Sequence, residues 1–431
     1  MKVFIATLGC KVNEVDSELY AQELRARGAV VTRTLDDADA VIVNSCSVTN
    51  KAQAQSLQMA RRALRERPGI PVYVTGCGAS LLSLTHKDAP PGVTVVAMQQ
   101  RSDVAGLVTG LPGTARVARR WIEGEIKQPG ARNRVDIRVQ EGCDNMCTYC
   151  VVPFVRGSRL QSKPIEAAVE EVLGLARVGV KEVVLTGTEI GKYGEARDRL
   201  PALLDAILGA LEREELPTRV RISSLNPDAI TDALVPQFSR HAALCPQLHL
   251  PLQSGSDAVL ARMRRPYVRQ DLLDSVQRLR SVDERFTITT DVIVGFPGET
   301  EHDFLATVDT VRMASFAKVH VFPYSARPFT PASRQDSQVP VEAVNKRVHT
   351  MLGVAEEVGL SFARQFIGQC VTIVSEKVGP GMAAGYSQYY LWTEAKGQFQ
   401  ETPVRDSFMD VRVDACGFRG DRVILSGRIV S

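Results

Sequence analysis

Three cysteines, Cys143, Cys147 and Cys150, fall within the nine residues GCDNMCTYC. The spacing C-x3-C-x2-C gathers three thiolates with no fourth cysteine or histidine nearby. Structural zinc takes four ligands, commonly in C-x2-C pairs, so zinc is the poorer match and stands as the alternative. A [4Fe–4S] cluster held by three thiolates leaves one iron free to bind something else, which suits this spacing better. A second trio is dispersed. Cys10, Cys46 and Cys77 each close a β-rich run, VFIATLGC, AVIVNSC and VYVTGC. In an open parallel α/β sheet, residues just past the C-terminal strand ends converge on one crevice. Three thiolates so placed could hold a second cluster; the alternative is that small apolar cysteines fill the ends of buried strands. Cys245, Cys370 and Cys416 show no partner spacing and read as fillers.

The elements that must position these groups follow from the pattern. Residues 1 to about 115 alternate short β-rich runs with helical stretches such as EVDSELYAQELRARG and AQAQSLQMARRALRER, the signature of a small α/β domain with a parallel sheet. A charged stretch at 123–134 reads as a linker. From 129 to 360 six strand candidates alternate with amphipathic helices, which predicts an open (β/α)6 partial barrel with its chemistry at the C-terminal strand ends. Residues 361–431 carry short strands without helical period, which predicts a small antiparallel β-barrel. The close-spaced trio then lies just past the first barrel strand.

Composition sets limits. With 52 basic and 49 acidic residues the net charge is +3, so a nucleic-acid partner must rest on local patches. The apolar run in MKVFIATLGC is too short for an export signal, no stretch is long enough to span a membrane, and an odd count of nine cysteines does not suggest a disulfide framework. A cytoplasmic protein is expected.

GCDNMCTYCVVPFVRG resembles the C-x3-C-x-aromatic-C signature of the radical S-adenosylmethionine superfamily. The two trios in this order are similar to those of the methylthiotransferase family. TLGCKVNEVDSE, NSCSVTNKAQAQSLQMARRA and VTGC precede the radical motif; VVLTGTEIGKYG, RISSLNP, LHLPLQSGSDAVLARMRRPY, TTDVIVGFPGETEHDF and HVFPYSARPFTPAS follow it. The likeness covers nearly the whole chain. It implies two [4Fe–4S] clusters, S-adenosylmethionine chelated by the open iron of the cluster on Cys143, Cys147 and Cys150, and a 5′-deoxyadenosyl radical. It also implies Tyr149 near the adenine, a terminal RNA-binding module of the TRAM type, and a low-potential electron donor such as flavodoxin or ferredoxin; the sulfur donor is left open. The family inserts sulfur and then methyl at an unactivated C–H bond. A positioned general base contributes only about 10²–10⁴-fold, far too little for such a hydrogen, so a radical generator is required.

Other site candidates are weaker. Thr186, Gly187 and Glu189 occupy the place where such enzymes bind the methionine amino group through a Gly-Gly-Glu-like segment. Ser224, Gln253 and Ser254 lie at later strand ends and either line the same pocket or cap the strands. His249 and His320 lie within strands and belong to no motif. Basic groups beside an aromatic suit RNA, which nominates Arg262, Arg264 and Arg265 next to Tyr267, whereas Arg61, Arg62, Arg65 and Arg67 read better as a solvated helix face. The rings of GYSQYYLW suit either RNA stacking or core packing.

Three substrates divide the family: threonylcarbamoyladenosine or isopentenyladenosine at tRNA position 37, and an aspartate of a small-subunit ribosomal protein. TLGCKVN and CSVTNKAQAQSLQMARRA resemble the threonylcarbamoyladenosine group most closely. The isopentenyl group tends to show Gln-Met-Asn where this chain has Lys11, Val12 and Asn13. EVDSE is similar to the ribosomal-protein group. An anionic threonylcarbamoyl group would want a cation, for which Arg327 is the candidate. A zinc-stabilised RNA-binding protein without redox chemistry is the alternative from another class.

Overall fold

Runs of β-branched residues flanked by turn formers build the first sheet. In the computed structural model, which describes residues 1–111, 126, 134–194, 199–397, 405–420 and 422–430, this sheet contains β1 (Lys2–Thr7), β2 (Val30–Thr32), β3 (Ala40–Ser45), β4 (Val72–Thr75) and β5 (Val93–Val95). All pairings are parallel, in the order β2-β1-β3-β4-β5, and the central β3 is buried throughout. Helices α1 (Lys11–Ala26), α2 (Asn50–Glu66) and α3 (Gly76–Thr85) follow β1, β3 and β4 closely. The hydroxyl of Thr49 accepts from the Ala52 amide at 3.1 Å and starts α2 as an N-cap. The linker expected at 123–134 lies outside the described residues apart from Ile126 and Arg134, as do the limits at 115 and 129.

Six parallel strands follow: β6 (Arg134–Glu141), β8 (Glu182–Gly187), β9 (Arg219–Ile222), β10 (Gln247–His249), β11 (Thr287–Val294) and β12 (Lys318–Pro323). A two-residue strand, β7 (Gln161–Ser162), pairs antiparallel on the outer side of β6. Among the described residues the ladder β6-β8-β9 joins β10-β11-β12 through the isolated bridges Val220↔Leu244 and Ser224↔His249. This is the expected open six-stranded barrel. Val135, Ile137, Val139, Val183 and Leu185 enter the apolar core under the surrounding helices. With a period of two, Arg134, Asp136, Arg138, Gln140 and Glu182 face the concave side. The lumen is therefore lined with charge.

Glu182, 1% exposed, is gripped by Arg219 at 2.5 Å and by Arg221 at 3.0 Å. Burial pushes its carboxyl up, but Arg221 and Arg219 outweigh this and hold it well below the usual carboxylate range. The same guanidinium groups reach across to the last domain. Arg219 donates to the carbonyls of Thr372 and Tyr386, and Arg221 to those of Gln388 and Ser387.

That domain is a closed barrel of β13 (Cys370–Gly379), β14 (Met382–Ser387), β15 (Trp392–Lys396), β16 (Phe408–Arg419) and β17 (Arg422–Ile429). The expected antiparallel barrel is present, with one parallel pair, β15 and β17. Five strands cannot alternate direction around a closed ring, so one parallel pair is forced. The sequence pattern also passes over β14, whose MAAGYS has weak strand propensity. One helix, Val341–Arg364, runs through the boundary expected at 360/361 and packs Phe362 with Phe366 into the barrel core. Cys370 is exposed rather than a filler, while Cys245 is buried and Cys416 half-buried.

The GYSQYYLW rings are spent at this junction. Tyr386 and Tyr390 stack at 4.6 Å, and Arg221, Arg134 and Lys11 lie over the Tyr390 ring at 4.8, 5.3 and 5.6 Å. Replacing Glu182 by Gln should leave two buried guanidinium groups without their carboxylate and lower stability by about 3–5 kcal/mol in urea unfolding. A loss under about 1 kcal/mol would mean that the backbone carbonyls alone satisfy them.

Candidate active site at the junction of the two cysteine trios

The loop with the first trio leaves β6 through Gly142, whose φ of +88° and contact with the Arg159 carbonyl leave no room for a side chain. Gln140 secures the turn, donating to the carbonyls of Glu141 and Gly142 at 3.1 and 2.8 Å while accepting from the Glu189 amide at 2.8 Å. Farther along, the Thr148 amide donates to the Met263 carbonyl at 3.0 Å, its hydroxyl to the Arg262 carbonyl at 2.9 Å, and the Thr148 carbonyl accepts from Ala332 at 2.8 Å. Cys143, Cys147 and Cys150 are thus pinned from three sides. Burial pushes the Cys143 thiol up to about 11 and the Cys150 thiol up to about 12. Arg265 donates to the Cys147 sulfur at 3.2 Å and also reaches Asn226 and the Tyr267 hydroxyl.

Glu189 stands between two amides, accepting from Asn145 at 2.8 Å and Asn226 at 2.7 Å. Burial raises its carboxyl to about 7 against the pull of Arg265. Asn145 belongs to the cysteine loop itself, so Glu189 ties that loop to the ends of β8 and β9. Thr186 is buried on β8, and a side chain at Gly187 would come within 2.9 Å of Gln140. Tyr149 packs with Val259, Met263, Phe296, Ile293 and Tyr324 as an apolar wall. Among the described residues the buried hydroxyls of Thr188 and Ser223, at the ends of β8 and β9, find no hydrogen-bond partner. They are acceptors and donors waiting for a polar ligand.

Cys10, Cys46 and Cys77 lie one to three residues past the C-terminal ends of β1, β3 and β4. Gly9, with φ of +117°, lets the chain pass so close to Cys46 that an added Cβ would lie 3.2 Å from its sulfur, and Cys10 follows at the N-cap of α1. Cys77 is not at the end of β4 but in the first turn of α3. Asn13, 1% exposed, braces the group, donating to the carbonyls of Leu8 and Ser45 at 2.8 and 3.1 Å. Burial pushes the Cys77 thiol up to about 11.

The two trios meet. Arg156 ends the helix Val152–Arg156, which begins two residues after Cys150, and its Nε donates to the Cys77 sulfur at 3.1 Å. Its other nitrogens reach Glu141 at 3.2 Å, Asn13 at 2.6 Å and Asp16 at 2.7 Å. Asp16 also accepts from Arg138 at 2.5 Å, and Arg101 grips Glu141 at 2.6 and 2.7 Å. Cys77 packs with Leu81, Val151 and Val155. On the far side of the barrel, the loop after β12 holds α2: Arg327 bonds Asn50 and, at 2.6 Å, Gln53. The first domain thus bridges both ends of the open barrel.

Among the described residues no three His, Cys, Asp or Glu side chains stand close enough to share one metal ion. Zinc would need such a set, whereas thiolates on a [4Fe–4S] cluster bind three different irons. Of the other candidates, Ser254 is spent in a turn with Thr307 and the Ser256 amide, and Gln253 is buried with φ of +63°. Ser224 bridges to His249. Arg327 is 1% exposed, with two nitrogens on α2 and its Nε without a hydrogen-bond partner among the described residues. Arg262 bonds the Gly298 carbonyl at 3.1 Å, Arg264 is exposed at a helix C-cap, and only Arg265 touches a trio. His249 and His320 do meet, at 6.1 Å between rings, with Asp291 3.4 Å from His249. On α2, Arg62 pairs with Glu66 at 2.9 Å and Arg67 bonds the Ala38 carbonyl, as a solvated face does.

Comparison with known proteins decides the family. Residues 137–311 match the radical SAM superfamily and residues 2–97 match uncharacterized protein family UPF0004. The threonylcarbamoyladenosine tRNA methylthiotransferase MtaB of Thermotoga maritima is 36% identical, covering 92% of this chain and 91% of that protein. The chain is a radical S-adenosylmethionine methylthiotransferase. The namesake MtaB of Bacillus subtilis is 35% identical over 91% of this chain and 89% of its own, and the tRNA-2-methylthio-N(6)-dimethylallyladenosine synthase of Akkermansia muciniphila is 33% identical over 87% and 88%. The fold is shared with a radical S-adenosylmethionine methyltransferase, TsrM of Kitasatospora setae, at a TM-score of 0.57, 15% identity and coverage of 89% and 80%. This methylthiotransferase therefore transfers a sulfur-containing group and uses two [4Fe–4S] clusters and S-adenosylmethionine.

A pH prediction follows from Glu189 in this methylthiotransferase. Its raised carboxyl means the native state holds a proton that the unfolded chain releases from its ordinary value of 4.5 up to about 7, so stability falls as pH rises through that window. Glu189→Gln should flatten this part of the profile in thermal unfolding of the purified protein. An unchanged slope would place the titration on another group.

Proposed function

We propose that the chain converts N6-threonylcarbamoyladenosine at position 37 of tRNA to its 2-methylthio derivative. Cys143, Cys147 and Cys150 hold the cluster that binds S-adenosylmethionine, and Cys10, Cys46 and Cys77 hold the other. The observation that carries this division is the contact of Arg156 with Cys77, which sets the second trio against the helix that follows the first. Sulfur handling and radical generation thereby share one interface. When bound, the first cluster and its cofactor supply the radical that removes the C2 hydrogen. The chain's own residues orient and enclose. Gln140, Asn145 and Asn226 hold Glu189 beside the cysteine loop, where its carboxylate suits the methionine ammonium. Thr188 and Ser223 offer buried hydroxyls for the cofactor, and Tyr149 supplies the apolar wall against which an adenine stacks. A misplacement of about 1 Å between radical carbon and C–H bond can cost on the order of 10²-fold, which is the reason for so much bracing.

The choice of nucleoside is supported by the relatives named for threonylcarbamoyladenosine, at 36, 35 and 34% identity, and by Lys11-Val12-Asn13 after the first cysteine. The terminal barrel is assigned to RNA contact, and a flavodoxin or ferredoxin to electron supply. In a strain lacking the gene, nucleoside mass spectrometry of total tRNA should show threonylcarbamoyladenosine without its methylthio form, restored by the gene on a plasmid. Loss of the methylthio form of isopentenyladenosine instead would reassign the substrate.

A further inference from the structure

Arg156 sits in a buried cluster of ions. Arg101, Arg138 and Arg156 face Asp16 and Glu141 through contacts of 2.5 to 3.2 Å. The side chains of Arg138, Arg156, Asp16 and Glu141 are at most 2% exposed. Beyond its two carboxylates, Arg156 directs Nε at the Cys77 sulfur, 3.1 Å away. A ligand thiolate there is an anionic acceptor in a region that water barely reaches, where a charge-assisted hydrogen bond is strong.

We infer that Arg156 is a positioning residue which locks Cys77 toward the first-domain cluster and raises that cluster's reduction potential. The inference rests on the assignment of Cys10, Cys46 and Cys77 as its ligands. A [4Fe–4S] cluster on three thiolates carries one net negative charge when oxidised and one more after taking up an electron. A guanidinium hydrogen-bonded to a ligand sulfur favours the more negative form, because the interaction acts in a low-dielectric site and strengthens as charge accumulates. The same residue is carried by the helix leaving the radical motif, so the radical half of the enzyme sets the electronics of the sulfur half.

The test uses the full-length chain with Cys143, Cys147 and Cys150 all replaced by Ala, reconstituted with iron and sulfide, so that only the first-domain cluster gives a signal. Iron content and the midpoint potential, read by electron paramagnetic resonance during dithionite titration, are compared for Arg156, Arg156→Lys and Arg156→Met. About four irons per chain are expected in each. The midpoint should move to more negative potential in Arg156→Met, with Arg156→Lys between. A merely structural role would change iron content and leave the midpoint of the loaded fraction alone. Equal midpoints overturn the inference while leaving the ligand assignment standing; should Arg156→Met fail to load, an unshifted midpoint in Arg156→Lys overturns it equally. No iron in the parent chain would sink the ligand assignment, and the inference with it.

Discussion

A buried knot of charge holds the two halves of the active site together. Asp16 on α1 accepts from Arg138 on β6 and Arg156 beyond the radical motif, and Glu141 at the end of β6 binds Arg156 and Arg101. Each of these groups would be expensive to bury alone, and removing one partner of such a pair costs about 3–5 kcal/mol. Because the fork of Arg156 is planar and rigid, satisfying both carboxylates also fixes where Nε points, and it points at Cys77. The alignment of two trios from different sheets is thus a by-product of neutralising charge.

An open barrel has two free ends, and each needs a cover. The first domain provides it at β6 through the knot and at the loop after β12 through Arg327 on Asn50 and Gln53. The terminal domain covers another part of the concave face, where Glu182 gathers Arg219 and Arg221 against the carbonyls of residues 386–388. A packed apolar lumen would leave no room for cofactor and substrate. A polar lumen closed by neighbouring domains keeps that space while satisfying the charged groups that line it.

Much of this was legible in the sequence for a simple reason: strands read by periodicity, and chemistry sits at their ends. Cys10 and Cys46 follow their strands directly, and six parallel strands appear where six were expected. Cys77 lies two residues past β4, where Gly76 opens a helix at once. Arg156 was beyond reach, because nothing in VVPFVRG says that its guanidinium meets a sulfur 79 positions earlier. The same holds for the contacts of Arg327 with Asn50 and Gln53 on α2, more than 270 positions earlier. Long-range charge pairing leaves no period in a sequence, whereas β-propensity and cysteine spacing do. The terminal barrel shows the converse, as its parallel pair follows from counting strands and needs no side chain at all.

The central claim is that both trios hold clusters side by side across Arg156. The direct measurement is electron paramagnetic resonance of the fully reduced, fully loaded enzyme beside variants carrying Ala in one trio or the other. The account predicts that the spectrum of the intact protein shows spin–spin splitting or enhanced relaxation beyond the sum of the two single-cluster spectra. A spectrum equal to that sum would place the clusters too far apart for this interface, and the account would be wrong.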